Sequence, residues 1–243
     1  MTYCVAIAVD KGLVFASDSR TNAGVDHISV YPKMNTFEIP GHAYFVLCSA
    51  GNLATTQAVI KAIQRDLDHE ASESLATCRD MSDAARYIGT LSVRHRLYYQ
   101  KELEQKATFD ASFLLGGQVQ GEAPDLMMIY PEGNYITYSP YSPYMQLGET
   151  KYGKPILDRV IKCATSLEDA AKCALVSLDS TMRSNLSVAP PIDLLILEKD
   201  AFKPAQRWQL KLNSPYYASL RKRWGEGLLE LFNNLPAFDW EKE

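Results

Sequence analysis

A threonine follows the initiating methionine, and an aspartate lies sixteen residues further on in an apolar segment: Met1-Thr2-Tyr3-Cys4-Val5-Ala6, then Val14-Phe15-Ala16-Ser17-Asp18-Ser19-Arg20. Methionine ahead of a small residue is readily trimmed, so the mature chain is expected to begin at Thr2. That residue would then carry both a hydroxyl nucleophile and a free α-amine to serve as its base. It needs no histidine to attack a carbonyl. A free α-amine titrates near ~8, and a lysine ammonium beside it would lower that value by like-charge repulsion. Lys33 is the candidate neighbour.

Two apolar strands, Tyr3 to Val9 and Leu13 to Ser17, would position these groups. Asp10-Lys11-Gly12 between them predicts a three-residue hairpin loop, with glycine supplying a positive φ. Residue 9 would face residue 13, Cys4 would oppose Asp18, and Thr2 would oppose Arg20. Thr2 and Asp18 become diagonal neighbours on one face in that register. A two-residue loop would reverse the parity. Alternatively, Asp18 caps a turn ahead of Thr21-Asn22-Ala23-Gly24.

These residues, with Tyr31-Pro32-Lys33-Met34 and Cys48-Ser49-Ala50-Gly51-Asn52, resemble the catalytic signature of proteasome β-type subunits. More narrowly, Phe15 to Asp26 and Ser49-Ala50-Gly51-Asn52-Leu53-Ala54-Thr55-Thr56-Gln57 resemble Anbu, the bacterial ancestral β subunits. The likeness is densest in the first sixty residues. It implies a threonine-type peptidase in which Thr2 Oγ attacks the scissile carbonyl, Lys33 tunes the Thr2 amine and Asp18 orients Lys33. The Gly51 N–H would be the oxyanion donor, although Gly51 is equally the flexible link to a helix capped by Asn52. Thr21, Tyr31, Ser49 and Leu53 align with the walls of the substrate pocket, and all four also suit ordinary strand and helix positions. Their mixed apolar and hydroxyl character would give loose specificity.

Downstream the pattern departs from the family. Glu149 in Gln146-Leu147-Gly148-Glu149-Thr150 stands where a serine is expected. An acid there would accept from the Thr2 ammonium and raise its pKa, or would point away and leave Thr150 to act. Asp179 in Leu178-Asp179-Ser180-Thr181 matches a second acid near the family's nucleophile. Ser184 or Ser187 would take the place of the serine that follows it.

Of 243 residues, 47% are hydrophobic and 22% charged, which suits one soluble domain with a sizeable core. The net charge of −4 argues against a nucleic-acid or membrane surface, and Arg221-Lys222-Arg223 reads as a solvated helix face. No apolar run approaches a membrane span, and the start of the chain lacks a signal peptide's basic lead, so the expected location is the cytoplasm. Five scattered cysteines suit buried thiols, with no metal spacing among them and no cofactor implied.

Periodicity predicts a strand over Ala43 to Ser49, a helix with the stripe Val59, Ile60, Ile63 and Leu67, and a second from about Ser82. Strands follow at Ala111 to Leu115, Leu126 to Tyr130 and Tyr135 to Tyr138. Helices begin near Pro155 and after Ser166, and a buried strand spans Ile192 to Leu197. Beyond about residue 205, an edge strand at Trp208 to Leu212 precedes a helix over Tyr216 to Phe232. The order permits helices around two stacked sheets, and the resemblance makes this an α+β, four-layer αββα sandwich of the Ntn-hydrolase type. It also implies a homo-oligomer, as an open or helical ring. Three functions compete: a peptidase acting on peptides or unfolded proteins, an amidohydrolase acting on a small amide or isopeptide, and a non-catalytic assembly subunit. The complete set Thr2, Asp18, Lys33 and Gly51 speaks against the last.

Overall fold

A computed structural model describes residues 1–22, 28–103, 108–204 and 206–238. The chain runs β1 (Tyr3–Val9), β2 (Gly12–Asp18), β3 (Arg20–Asn22), β4 (Ile28–Val30), β5 (Met34–Ile39), β6 (Ala43–Gly51), α1 (Leu53–Asp68) and α2 (Met81–Leu103). It continues with β7 (Ala111–Val119), β8 (Asp125–Ile129), β9 (Tyr135–Thr137), β10 (Tyr144–Gly148), α3 (Lys154–Val160), α4 (Leu167–Ser184), β11 (Ile192–Glu198), β12 (Gln206–Leu210) and α5 (Pro215–Asn233). Two five-stranded sheets result, ordered β10-β1-β2-β11-β12 and β5-β6-β7-β8-β9, and β3 and β4 form a separate pair.

Alternation along β1 shows how the layers stack. Cys4, Ala6 and Ala8 face the second sheet, where they meet Val46, Cys48 and Leu114. Tyr3, Val5, Ile7 and Val9 face the other way, against Leu175 and Leu178 of α4. A strand covered on both faces has no polar side, which is why its sequence reads as an unbroken apolar run. The second sheet repeats the arrangement, with Phe45, Leu47 and Phe113 packing under Val59 and Ile63 of α1 and Ile88 of α2. The result is a four-layer αββα sandwich.

Helix starts follow local chemistry. The Asn52 side chain accepts from the amides of Ala54 and Thr55 to open α1, and Ser166 accepts from Asp169 to open α4.

The hairpin register differs from the sequence expectation. Val9 pairs with Gly12 and Cys4 with Ser17, so the loop has two residues and the parity is reversed. Gly12 is the first residue of β2, not part of the loop. Its φ is 144°, and a Cβ there would collide with the Leu197 carbonyl oxygen of β11. The positive φ and the close approach of a third strand both demand this glycine.

Candidate active site

Thr2 lies where the two sheets part. On one side Tyr3 pairs with Gly148, and the Glu149 amide donates to the Thr2 carbonyl at 2.8 Å. Gly148 has φ 81°, and a Cβ on it would strike that same carbonyl oxygen, so only glycine lets β10 end this close to Thr2. On the other side the Tyr3 amide donates to Asp18 Oδ1 at 2.9 Å. Regular pairing ends at Asp18, and its carboxylate turns toward the start of the chain despite the reversed parity.

Lys33 crosses from the second sheet. Its backbone is fixed by the Ser49 amide, which donates to the Lys33 carbonyl at 2.9 Å. Its Nζ donates to both Asp18 oxygens at 2.8 Å, to the Arg20 carbonyl at 2.6 Å and to the Met1 carbonyl at 3.4 Å. The pair is buried, with Lys33 6% and Asp18 0% exposed. Burial pushes the Asp18 carboxyl above the ordinary carboxylate value, and the Lys33 ammonium with the amides of Tyr3 and Ala189 opposes that shift without cancelling it. The Met1 carbonyl is the group that acylates the Thr2 nitrogen. Lys33 therefore stands beside the peptide bond whose nitrogen would become a free amine were Met1 removed.

A cleft of about 560 Å³ opens here, lined by Thr2, Lys33, Gly51 and Gly148, with Tyr31, Ser49 and Leu53 among its other walls. Gly51 ends β6 with φ 109°, and its Cβ position is occupied by the Asp110 carbonyl oxygen. Thr21 belongs to β3, where it pairs with Ser29, and its side chain lies outside the described residues. Cys4 is no rival nucleophile, because contact with the Cys48 thiol and burial hold its thiol well above the usual range.

Asp179 does not reach this cleft. It sits on α4 facing α5, where Arg221 Nε donates to Oδ1 at 2.5 Å and Arg183 Nε to Oδ2 at 3.4 Å. Two guanidiniums neutralise a buried carboxylate that has no contact with Thr2. Asn185, the residue that ends α4, stands near the chain start instead and was not among the sequence candidates. Its amide nitrogen donates to Glu149 Oε2 at 3.1 Å and lies 3.8 Å from Met1 Sδ. Ser187 supports it, donating its own amide to Asn185 Oδ1 at 2.9 Å, whereas Ser184 is exposed at the last turn of α4. The same loop then runs along the back of the Asp18 segment: Ser19 Oγ donates to the Pro191 carbonyl at 2.6 Å and Arg20 Nη1 to the Leu186 carbonyl at 3.2 Å. An asparagine at a helix end, two residues before a serine, is the local signal that marks this loop.

Among the described residues no cluster of three or more His, Cys, Asp or Glu side chains is placed to hold a metal, and no helix is long and apolar enough to cross a membrane. The family model for proteasome subunits matches residues 2–197. The chain is similar to the Anbu (ancestral beta-subunit) protein from Yersinia bercovieri, with 45% identity over 98% of this chain and 99% of that one, at a TM-score of 0.91. It is similar to Anbu from Hyphomicrobium sp. strain MC1 at 44% identity, covering 98% and 100% of the two chains with a TM-score of 0.89. The helical assembly of the Anbu complex from Pseudomonas aeruginosa matches at 42% identity over 100% of both chains, with a TM-score of 0.94. No curated protein matches.

Proposed function

Because this chain belongs to the proteasome subunit family, we propose that it is a threonine peptidase that cuts peptide bonds with the hydroxyl of Thr2 once Met1 has been removed. The observation that carries this reading is the Lys33 ammonium, held between the Asp18 carboxylate and the carbonyl attached to the Thr2 nitrogen. With Met1 in place that nitrogen is an amide and has no basicity. Freed, it becomes an amine whose pKa the neighbouring cation lowers, so that more of it is unprotonated at neutral pH.

The amine then takes the Thr2 hydroxyl proton as Oγ attacks the scissile carbonyl. Charge developing on the carbonyl oxygen is met by the Gly51 N–H, and loss of one such donor typically costs about 3–4 kcal/mol of transition-state stabilisation. Collapse of the tetrahedral species expels the leaving amine, which receives the proton, and leaves an ester on Thr2. Water, deprotonated by the same α-amine, hydrolyses that ester. The substrates are peptides or unfolded segments able to enter the cleft. The test is intact mass before and after exposure to a peptide epoxyketone, a reagent that uses both hydroxyl and amine of one residue. Loss of one methionine followed by a single adduct on Thr2 is expected, and a protein that keeps Met1 and takes no adduct would refute the reading.

Glu149 stands where the family pattern has a serine, and Asn185 donates to its carboxylate. The carboxylate accepts from Asn185, whose amide also lies near Met1, and a negative charge there would favour the ammonium form of the freed amine and so oppose Lys33. Glu149→Gln removes this opposition. The apparent pKa in the pH profile of acylation should fall by roughly half to one unit. An unmoved profile would show that the carboxylate does not act on the amine.

The protein assembles with copies of itself through α5. Tyr217 is buried and Leu220 partly buried on the core beneath α4, but Leu229 and Phe232 are 62% and 69% exposed. One end of the helix thus covers its own domain, while the other presents apolar side chains to water. Leu229→Glu with Phe232→Glu should raise the dissociation constant of the oligomer by at least about tenfold, as read by sedimentation, with folding stability changed by no more than about 0.5–1 kcal/mol.

A further inference from the structure

One wall of the cleft is a single face of α1. Leu53, Thr56, Gln57, Ile60 and Lys61 recur at the spacing that brings side chains to one side of a helix. Leu53 is adjacent to the Gly51 end of the cleft. Lys61 lies eight residues on, about 12 Å along the helix axis. The two ends differ in charge balance. At the Thr2 end Lys33 is neutralised by Asp18. At the other end Lys61 has no carboxylate at the positions three and four residues away on its helix, which are Gln57, Ala58, Gln64 and Arg65. It forms none of the ion pairs found among the described residues. No aspartate or glutamate lines the cleft among those residues either.

We propose that Lys61 selects an acidic side chain, glutamate over aspartate, at the substrate residue immediately ahead of the cut. This rests on the reading of Thr2 as nucleophile. A side chain entering from the Thr2 end passes Leu53 and Ile60, whose aliphatic surfaces suit methylene groups, before it meets the ammonium. Gln57 offers a further donor beside it. Glutamate carries its carboxylate one methylene further toward Lys61 than aspartate does. A basic side chain would face an unmatched like charge at the Lys61 end of the α1 wall, so the same residue attracts one class and repels the other.

Three peptide epoxyketones, identical except for Glu, Gln or Lys next to the reactive ketone, test this on the full-length protein. The readout is the second-order rate of adduct formation by intact mass at low salt. The Glu probe is expected to react about 5-fold faster than the Gln probe, the size of a partly exposed ion pair, and the Lys probe slower than either. Within Lys61→Gln the Glu-to-Gln ratio should collapse to about 1, and within Lys61→Glu the Lys probe should overtake the Glu probe. Equal rates for Glu and Gln in the unaltered protein, or a preference that survives in Lys61→Gln, would overturn the assignment while leaving the nucleophile intact. Reaction with none of the three probes would remove the nucleophile reading and the specificity with it.

Discussion

Thr2→Ala is expected to abolish epoxyketone adduct formation and to lower peptide turnover by at least about 10³-fold, because it deletes the hydroxyl proposed to form the ester. The alanine variant still begins with a small residue, so Met1 should still be trimmed and the α-amine, with its Lys33 neighbour, should persist. Any loss then belongs to the hydroxyl alone. The fold should be unaffected, since Thr2 is only half-buried and its carbonyl, not its side chain, receives the Glu149 amide. Intact mass and thermal midpoint measured on one preparation separate these effects. Turnover within a few-fold of the unaltered protein would place the chemistry elsewhere.

Lys33→Met combines a catalytic loss with a structural one, and the two can be separated. Removing the cation leaves Asp18 buried without its partner, which typically costs about 3–5 kcal/mol. Activity should fall sharply as well, because the amine loses the charge that lowers its pKa. Adding Asp18→Asn to Lys33→Met removes the orphaned charge, so stability should largely return while activity does not. The pH dependence of the single variant follows from burial. With Lys33 gone, burial raises the folded-state pKa of Asp18 further above its unfolded value, so the folded form holds the proton more tightly. The deficit is therefore present in full above the folded pKa, and it vanishes as pH falls through that pKa toward the unfolded value near ~3.9. Denaturant titrations at neutral and mildly acidic pH measure this. A double variant as unstable as the single one would show that the ion pair is not the source.

Much of the candidate site is written in short strings because Thr2, Lys33 and the turn at Gly51 all lie at strand ends within the first third of the chain. Buried strands such as β1 and β7 are legible as apolar runs, and the stripe Val59, Ile60, Ile63 and Leu67 announces α1. What escaped has physical causes. β5, Met-Asn-Thr-Phe-Glu-Ile, is the edge strand of its sheet, so its outward residues need not be apolar and the period-2 signal is faint. β10 follows the turn-rich Pro140 to Pro143 and carries Gln146, whose amide is spent on the Tyr3 hydroxyl at 2.6 Å inside the core. The hairpin parity was misread because Gly12 looks like a turn glycine, whereas β11, nearly two hundred residues away, is what excludes a side chain there.

Asp179 shows the same limit in the site itself. A carboxylate that matches the family's second acid invites a catalytic reading. Its real partner, Arg221, comes from α5, beyond the match to the proteasome subunit model. Local strings do not reveal a distant arginine. The loop that does reach the chain start, Asn185 to Pro191, offers no acid, only an amide, a serine hydroxyl and backbone carbonyls.

The burial of Tyr3 has a consequence for how the reaction is prepared. Loose chain ends ordinarily fray, sampling many orientations on the nanosecond scale. Here Tyr3, next to the proposed nucleophile, is already sunk in the core, its phenol moored to Ser177 at 3.0 Å and Gln146 at 2.6 Å. A single pair of backbone torsions thus separates the proposed reacting terminus from the rigid body. The end that would normally wander is already aimed before any ligand arrives, and little ordering entropy remains to be lost at the moment of attack.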